Sequence, residues 1–183
     1  QQRLYESEIA QKDASLYALQ AQLNPHFMYN TLDCICGIAN VSGTPQIADV
    51  AVALATMLRY SLSCKTIVPL MEEIEIVKNY LSIMEVRHPN FFTAEFNISP
   101  EAEELMCPKM LLQPIIENTF KHGFVPRTKN AHIVISANVD TNRLIITIFD
   151  NGKGFPKETL SELLNNFKQL NNSFYLPSNN STH

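Results

Sequence analysis

The stretch LQAQLNPHFMYNTLDCI, Leu19 to Ile35, decides how the first half of the chain is read. At its centre lies NPHFMYN, Asn24 to Asn30. From Leu4 to about Asn40 the sequence holds one glycine and one proline, so it reads as a long helix with a proline inside it. Proline in a helix interior removes a backbone hydrogen bond and costs about 3 kcal/mol. A histidine, His26, follows that proline directly. Asn24 and Asn30 flank it on a stretch otherwise committed to apolar spacing. A neutral imidazole can attack phosphorus. A distorted, exposed helix position would present it to a phosphate. The plainer alternative is a helical histidine that packs or caps.

Upstream, Tyr5, Ile9, Leu16, Leu19 and Leu23 follow three- and four-residue steps, broken by Lys12, which is the spacing of a coiled-coil seam. The seam continues through Phe27, Leu32, Ile35 and Ile38. VSGTP, Val41 to Pro45, is a turn in which Thr44 can cap a second helix opening at Pro45. QIADVAVALATMLRYSLS carries Ile47, Val50, Leu54, Met57, Leu58 and Leu62 along one side. Two such helices make an antiparallel hairpin, and neither covers the other's apolar face completely. A dimeric four-helix bundle is the expected way to bury the remainder. Packing against the rest of the chain is the alternative.

After Pro69 a third helix is expected from about Met71 to Arg87, ended by Pro89. The character then changes. FFTAEFNIS, Phe91 to Ser99, alternates like a strand. PKMLLQPIIENTFKHG, Pro108 to Gly123, reads as a helix closed by glycine. HIVISANV and RLIITIFD, divided by the turn DTN, read as an antiparallel hairpin. The class is therefore α+β, with helices on one face of a sheet. Two domains are expected, residues 1–88 and 89–183. The Asn- and Ser-rich tail from Lys168 reads as a loop.

Composition narrows the function. The 183 residues are 45% hydrophobic and 17% charged, which suits a globular fold. A net charge of −4, without any Lys/Arg run, excludes a nucleic-acid footprint. The four cysteines, Cys34, Cys36, Cys64 and Cys107, form no C-x-x-C pair and read as reduced cytosolic thiols. No apolar run reaches the roughly 18 residues of a membrane span, and no signal peptide opens the chain. Starting at Gln1 within a helical pattern, the chain is expected to be a soluble piece of something longer.

Two further constellations could carry chemistry. In IIENTFKHG, helical spacing sets Asn118, Lys121 and His122 on one polar side beside Glu117. An amide oxygen suits Mg²⁺, and the two basic side chains could meet phosphate oxygens. A solvated helix face is the alternative. In IITIFDNGKGF, a strand ends at Asp150 and is followed by Gly152 and Gly154, two of only five glycines in the chain. Such glycines suit unusual torsions or a close ligand. The carboxylate could accept from an exocyclic amine such as that of adenine. A plain turn is the alternative. There is no P-loop, Rossmann fingerprint, H-E-x-x-H or G-x-S-x-G.

In this order the pieces resemble the LytS/YehU-type sensor histidine kinases. LQAQLNPHFMYNTLDCI looks like their phosphoacceptor box, LRYSL and EEIEIVKNYLSIMEVR like the next two stretches, PKMLLQPIIENTFKHG like the N box, and IFDNGKGF like the first glycine box. The likeness runs from about Leu16 to Phe155. It implies a dimerisation and histidine-phosphotransfer domain followed by a Bergerat-type ATP-binding α/β sandwich. It implies that His26 takes the γ-phosphate of Mg-ATP, in cis or in trans, and hands it to a response-regulator aspartate. Asn118 would ligand Mg²⁺, with Lys121 and His122 near the phosphates and Glu117 polarising the nucleophile. Asp150 would read adenine, in a pocket shaped by Gly152 and Gly154. Asn30 and Arg59 would orient the imidazole or the phosphate. The parent would be a homodimer anchored in a membrane upstream of Gln1, with this portion in the cytoplasm.

One departure stands out. Family members continue into a second glycine box, and here the sequence reaches His183 without it, so an incomplete sandwich is expected. That supports an alternative, a catalytically inactive dimeric module that binds a response regulator or partner kinase. A plain ATPase of the same fold is a third reading. The PHFMYN box argues against it, because hydrolysis needs no acceptor histidine.

Overall fold

The computed structural model describes residues 24–124, 130–141, 143–156, 159–163 and 165. The seam from Tyr5 to Leu23 and the tail from Lys168 lie outside them. Helix α1, Pro25–Val41, begins at the proline rather than running through it. Asn24 is its N-cap, and the Asn24 side-chain oxygen accepts from the Phe27 N–H at 3.1 Å. Pro25 occupies the first helical position, where a missing N–H costs nothing. The interior proline expected from the sequence is thus a helix start, and the penalty of an interrupted helix does not arise in α1.

Gly43 turns the chain at φ +65, and helix α2, Pro45–Leu62, runs back. Thr44 stands at its N-cap position without making the expected side-chain cap. Its hydroxyl instead donates to the Ala39 carbonyl at 3.2 Å, closing the end of α1. Ala39, Ala48, Ala51, Ala53 and Met57 are buried. Phe27, Ile38, Val41, Ile47 and Val52 remain exposed.

The remaining elements are β1 (Ile67–Pro69), α3 (Leu70–Arg87), β2 (Phe92–Ile98), α4 (Pro100–Glu103), β3 (Met106–Pro108), α5 (Gln113–Asn118), a π-helical turn (Thr119–Gly123), β4 (Ala131–Asp140) and β5 (Arg143–Asp150). β1 and β3 form a small antiparallel ribbon. The main sheet has the order β2-β4-β5, with β2 parallel and β5 antiparallel to β4. The parallel pair requires a crossover. The segment from Ser99 to Asn130, which carries α5, supplies it.

Alternation on β4 turns Ala131, Ile133, Ile135 and Ala137 inward, where they pack with Leu112 and Ile116. The same core takes Leu70, Ile74, Val77 and Leu81, spaced so that one side of α3 faces it. Helix α3 therefore packs with the sheet. The α+β class and the one-sided placement of helices are those expected.

The helix expected over Pro108 to Gly123 is shorter. Pro108 ends a strand, Met110 has φ +62, which no helix accommodates, and α5 starts only at Gln113. Its last turn widens to π geometry, with the Phe124 N–H bonded to the Thr119 carbonyl at 2.8 Å. Phe120 sits in that turn with its ring edge-to-face against Tyr80, Phe92 and Phe124. No described helix is long and apolar enough to cross a membrane.

Candidate functional site

Burial of Ile116 and Thr119 sets the rotation of α5 and its π turn. Asn118, Lys121 and His122 are thereby left exposed on the other side. Glu117 is half-buried, and one of its carboxylate oxygens accepts from Gln113 Nε2 at 2.9 Å. The other accepts from Lys121 Nζ at 2.9 Å. The Lys121 ammonium, then the Gln113 amide, hold the Glu117 carboxyl below the usual carboxylate range. Lys121 is thus already paired, one turn from the residue it neutralises.

The end of β5 meets this turn. Asp150 Oδ2 accepts from the Thr119 hydroxyl at 3.2 Å, and Oδ1 accepts from the Gly152 N–H at 2.9 Å. A Cβ added at Gly152 would lie 2.7 Å from Asp150 Oδ1 and 2.7 Å from the Gly123 carbonyl carbon and oxygen. No real side chain fits there, so this glycine is required by the close approach of two backbones. The Lys153 N–H closes the contact on the Gly123 carbonyl at 3.0 Å. Gly154 serves differently: its φ of +68 is left-handed, and a Cβ there would meet nothing. Asn151 ties the strand end back, accepting from the His132 N–H and donating to the Asn130 carbonyl, each at 2.8 Å.

The structure thus brings Asp150 and Gly152 against the segment that bears Glu117, Asn118, Lys121 and His122. Thr119, Gly123 and Asn151 belong to the same cluster and were not among the site residues the sequence reading named. Two signals could have found them. Thr119 directly follows Asn118, and Gly123 is another of the chain's few glycines.

His26, Asn30 and Arg59 form a second group at the open end of the helical hairpin. Asn30 Nδ2 lies 3.4 Å from both imidazole nitrogens of His26, so it is committed to neither lone pair. The Arg59 guanidinium stands 5.4 Å from the ring centroid of Tyr29, which binds the two helices at that end. His26 is exposed.

Asp150 has the chemistry for an adenine amine. Each of its oxygens is fixed by one donor and retains a free lone pair. The Gly152–Gly123 approach leaves the backbone bare of side chains beside it. Asn118, exposed one turn away, offers a neutral oxygen of the kind Mg²⁺ accepts.

Known proteins resemble both halves of this chain. Residues 14–92 match the histidine kinase family model. Residues 107–181 match the model of the histidine kinase-, DNA gyrase B- and HSP90-like ATPases. Sensor protein LytS of Staphylococcus epidermidis is 30% identical over 154 residues, 83% of this chain and 26% of that protein. Sensor histidine kinase YesM of Bacillus subtilis is 36% identical over 150 residues, 81% of this chain and 26% of that protein. Among solved structures, the histidine kinase domain of the Erythrobacter litoralis EL346 blue-light activated kinase aligns at 14% identity with a TM-score of 0.41, over 83% of this chain and 75% of that one. The chain belongs to the LytS-type sensor histidine kinase family. It spans about a quarter of the length of the curated relatives it matches.

Proposed function

We propose that this chain is the catalytic core of a two-component sensor kinase, which phosphorylates His26 from Mg-ATP. The observation that carries this reading is Asp150, held by Thr119 and Gly152 beside the bare backbone of Gly123. That arrangement suits recognition of the adenine amino group. Asn118 would hold Mg²⁺, which when bound offsets charge on the phosphate oxygens. His122 is exposed and free to approach those oxygens. Lys121 reaches them by leaving Glu117, whose carboxylate is then freed to orient the imidazole.

A lone pair of the His26 imidazole attacks the γ-phosphorus. The bond from that phosphorus to the β–γ bridging oxygen breaks, and ADP departs with the electron pair. Asn30 steadies the ring, and Arg59 neutralises the arriving phosphoryl group. The phosphohistidine then passes its phosphoryl group to an aspartate of a response regulator. Positioning supplies much of the rate in such transfers.

The exposed apolar residues of α1 and α2 fit a homodimer, in which the hairpins of two copies form a four-helix bundle. The histidine kinase match, which ends at residue 92, favours a phosphotransfer unit that keeps α3 and closes near the expected boundary at residue 88. The parent is a membrane-anchored sensor, and this portion lies on the cytoplasmic side.

Incubation with γ-labelled ATP and Mg²⁺ tests the reading. Base-stable, acid-labile label is expected on this chain and not on His26→Gln. Equal label on both variants would remove His26 from its role. Absence of label with retained regulator binding would favour a non-catalytic docking module.

A further inference from the structure

Glu73, in the first turn of α3, is 1% exposed, yet it is an ionisable side chain that the proposed chemistry does not use. A buried carboxylate persists only where donors replace its water. Here there are three, drawn from separate parts of the chain. Oε1 accepts from the Tyr60 hydroxyl and from the Met110 N–H, the latter at 2.7 Å. Oε2 accepts from the Leu112 N–H at 2.8 Å.

Each partner has a position that matters. Met110 and Leu112 lie in the loop directly before α5, and Met110 holds the left-handed φ of +62 that a β-carbon disfavours. The Glu73 carboxylate stabilises that turn, so it sets where α5 and its Asn118 begin. Tyr60 lies in the last turn of α2. Lys109 adds a second tie between the same two parts. Its Nζ donates to the carbonyls of Ser61 at 3.1 Å and Ser63 at 2.7 Å, where the end of α2 favours a cation. It also stands 5.1 Å from the Tyr60 ring centroid. Burial and the bond to Glu73 push the Tyr60 phenol up, so it keeps the proton it donates.

The hairpin is antiparallel, so the end of α2 is also the end of the hairpin that carries His26. The Tyr29–Arg59 contact puts the first turns of α1 beside the residue that precedes Tyr60.

We infer that Glu73 is a positioning residue and that its bond with Tyr60 is a latch, which sets the His26 end of the hairpin relative to the helix bearing Asn118. The inference rests on the kinase reading for its consequence, but not for its geometry. The two bonds have separable effects. Losing the Tyr60 hydroxyl loosens the hairpin, which Lys109 still ties, and leaves the loop before α5 in place. Losing the Glu73 carboxylate loosens both.

Amide hydrogen exchange and phosphorylation of the whole chain test this together. Tyr60→Phe keeps the ring for Lys109 and removes one bond. It is expected to speed exchange in residues 58–63 at least about tenfold, with the Met110 and Leu112 amides changed less than about twofold. At saturating ATP it should slow His26 labelling at least about tenfold, with nucleotide affinity within about twofold of wild type. Glu73→Gln, whose amide turns a donor toward one of the N–H groups, should speed exchange at Met110 and Leu112 and weaken nucleotide binding as well. A Tyr60→Phe chain with unchanged exchange at 58–63, or with labelling within about twofold of wild type, would overturn the latch. A wild-type chain that takes no label would instead overturn the kinase reading, and the exchange result alone would then decide the latch.

Discussion

At the scale of single residues, the site is governed by what backbone can approach what. Gly152 is the sharpest case, because its α-carbon hydrogen faces both the Asp150 carboxylate and the Gly123 carbonyl. Gly152→Ala must push one of them away: the Gly123 carbonyl is backbone, and the Asp150 carboxylate is held by Thr119 and the Gly152 N–H. Nucleotide affinity measured by calorimetry is expected to fall at least about tenfold, with the far-ultraviolet circular dichroism unchanged. Affinity equal to wild type would place the nucleotide elsewhere. The opening proline is a contrasting case. Residue identity alone suggested a distorted helix at Pro25. The Asn24 side chain, by bonding the Phe27 N–H, makes the same residue a helix start that presents His26 in the first turn.

At the scale of elements, the segment from Gln113 to Gly123 brings Asn118 and its neighbours against the end of β5. Its polar residues were legible from helical spacing, and Ile115, Ile116 and Phe120 read as its packing side, from which Ile115 departs at 45% exposed. Its true start and its π turn were not legible. The start is set by bonds from the Met110 and Leu112 N–H groups to Glu73, a residue on another helix. The pair Glu117–Lys121 carries a pH signature. Because the folded-state pKa of Glu117 is lowered, its contribution to stability is present above the unfolded value, about 4.3, and is lost as pH falls through the folded value. Urea midpoints of wild type and Glu117→Gln should therefore differ at neutral pH and converge in acid. The difference will be modest, since the Lys121 side chain is 60% exposed and solvent screens the pair. A gap that widens toward low pH would contradict the assignment.

At the scale of the whole molecule, α1 and α2 leave much of their apolar surface uncovered. Ile38 is 61% exposed, Val41 91% and Ile47 51%, near the turn that joins the two helices. A second hairpin would bury this surface. Ile38→Glu is expected to shift sedimentation of the chain from dimer toward monomer by raising the dissociation constant at least about tenfold, without loss of helix. A wild-type chain that sediments as a monomer would remove the four-helix arrangement. The other end of the hairpin behaves differently. There Tyr60, Ser61 and Ser63 are bonded to Glu73 and Lys109, so the end of α2 is joined to α3 and to the loop before α5 by polar contacts.

What the sequence determined by itself follows from short-range periodicity. Three- and four-residue spacing marked α1 and α2, and the stretch between Pro69 and Pro89 marked α3. Two-residue alternation marked β2, β4 and β5, and Asp150 with its glycines marked the strand end. These patterns need only neighbours along the chain, so they survive without a partner. The ribbon of β1 and β3 was not legible, because strands of three residues each carry too short a pattern. The parallel pairing of β2 with β4 was not legible either, since it joins residues far apart in sequence. The same holds for the cradle of Thr119, Gly123 and Gly152 around Asp150, and for the start of α5. Only the tertiary structure decided these features. Hydrogen bonds and close backbone approaches between distant segments create them, and no local spacing records which buried donor will find which carboxylate.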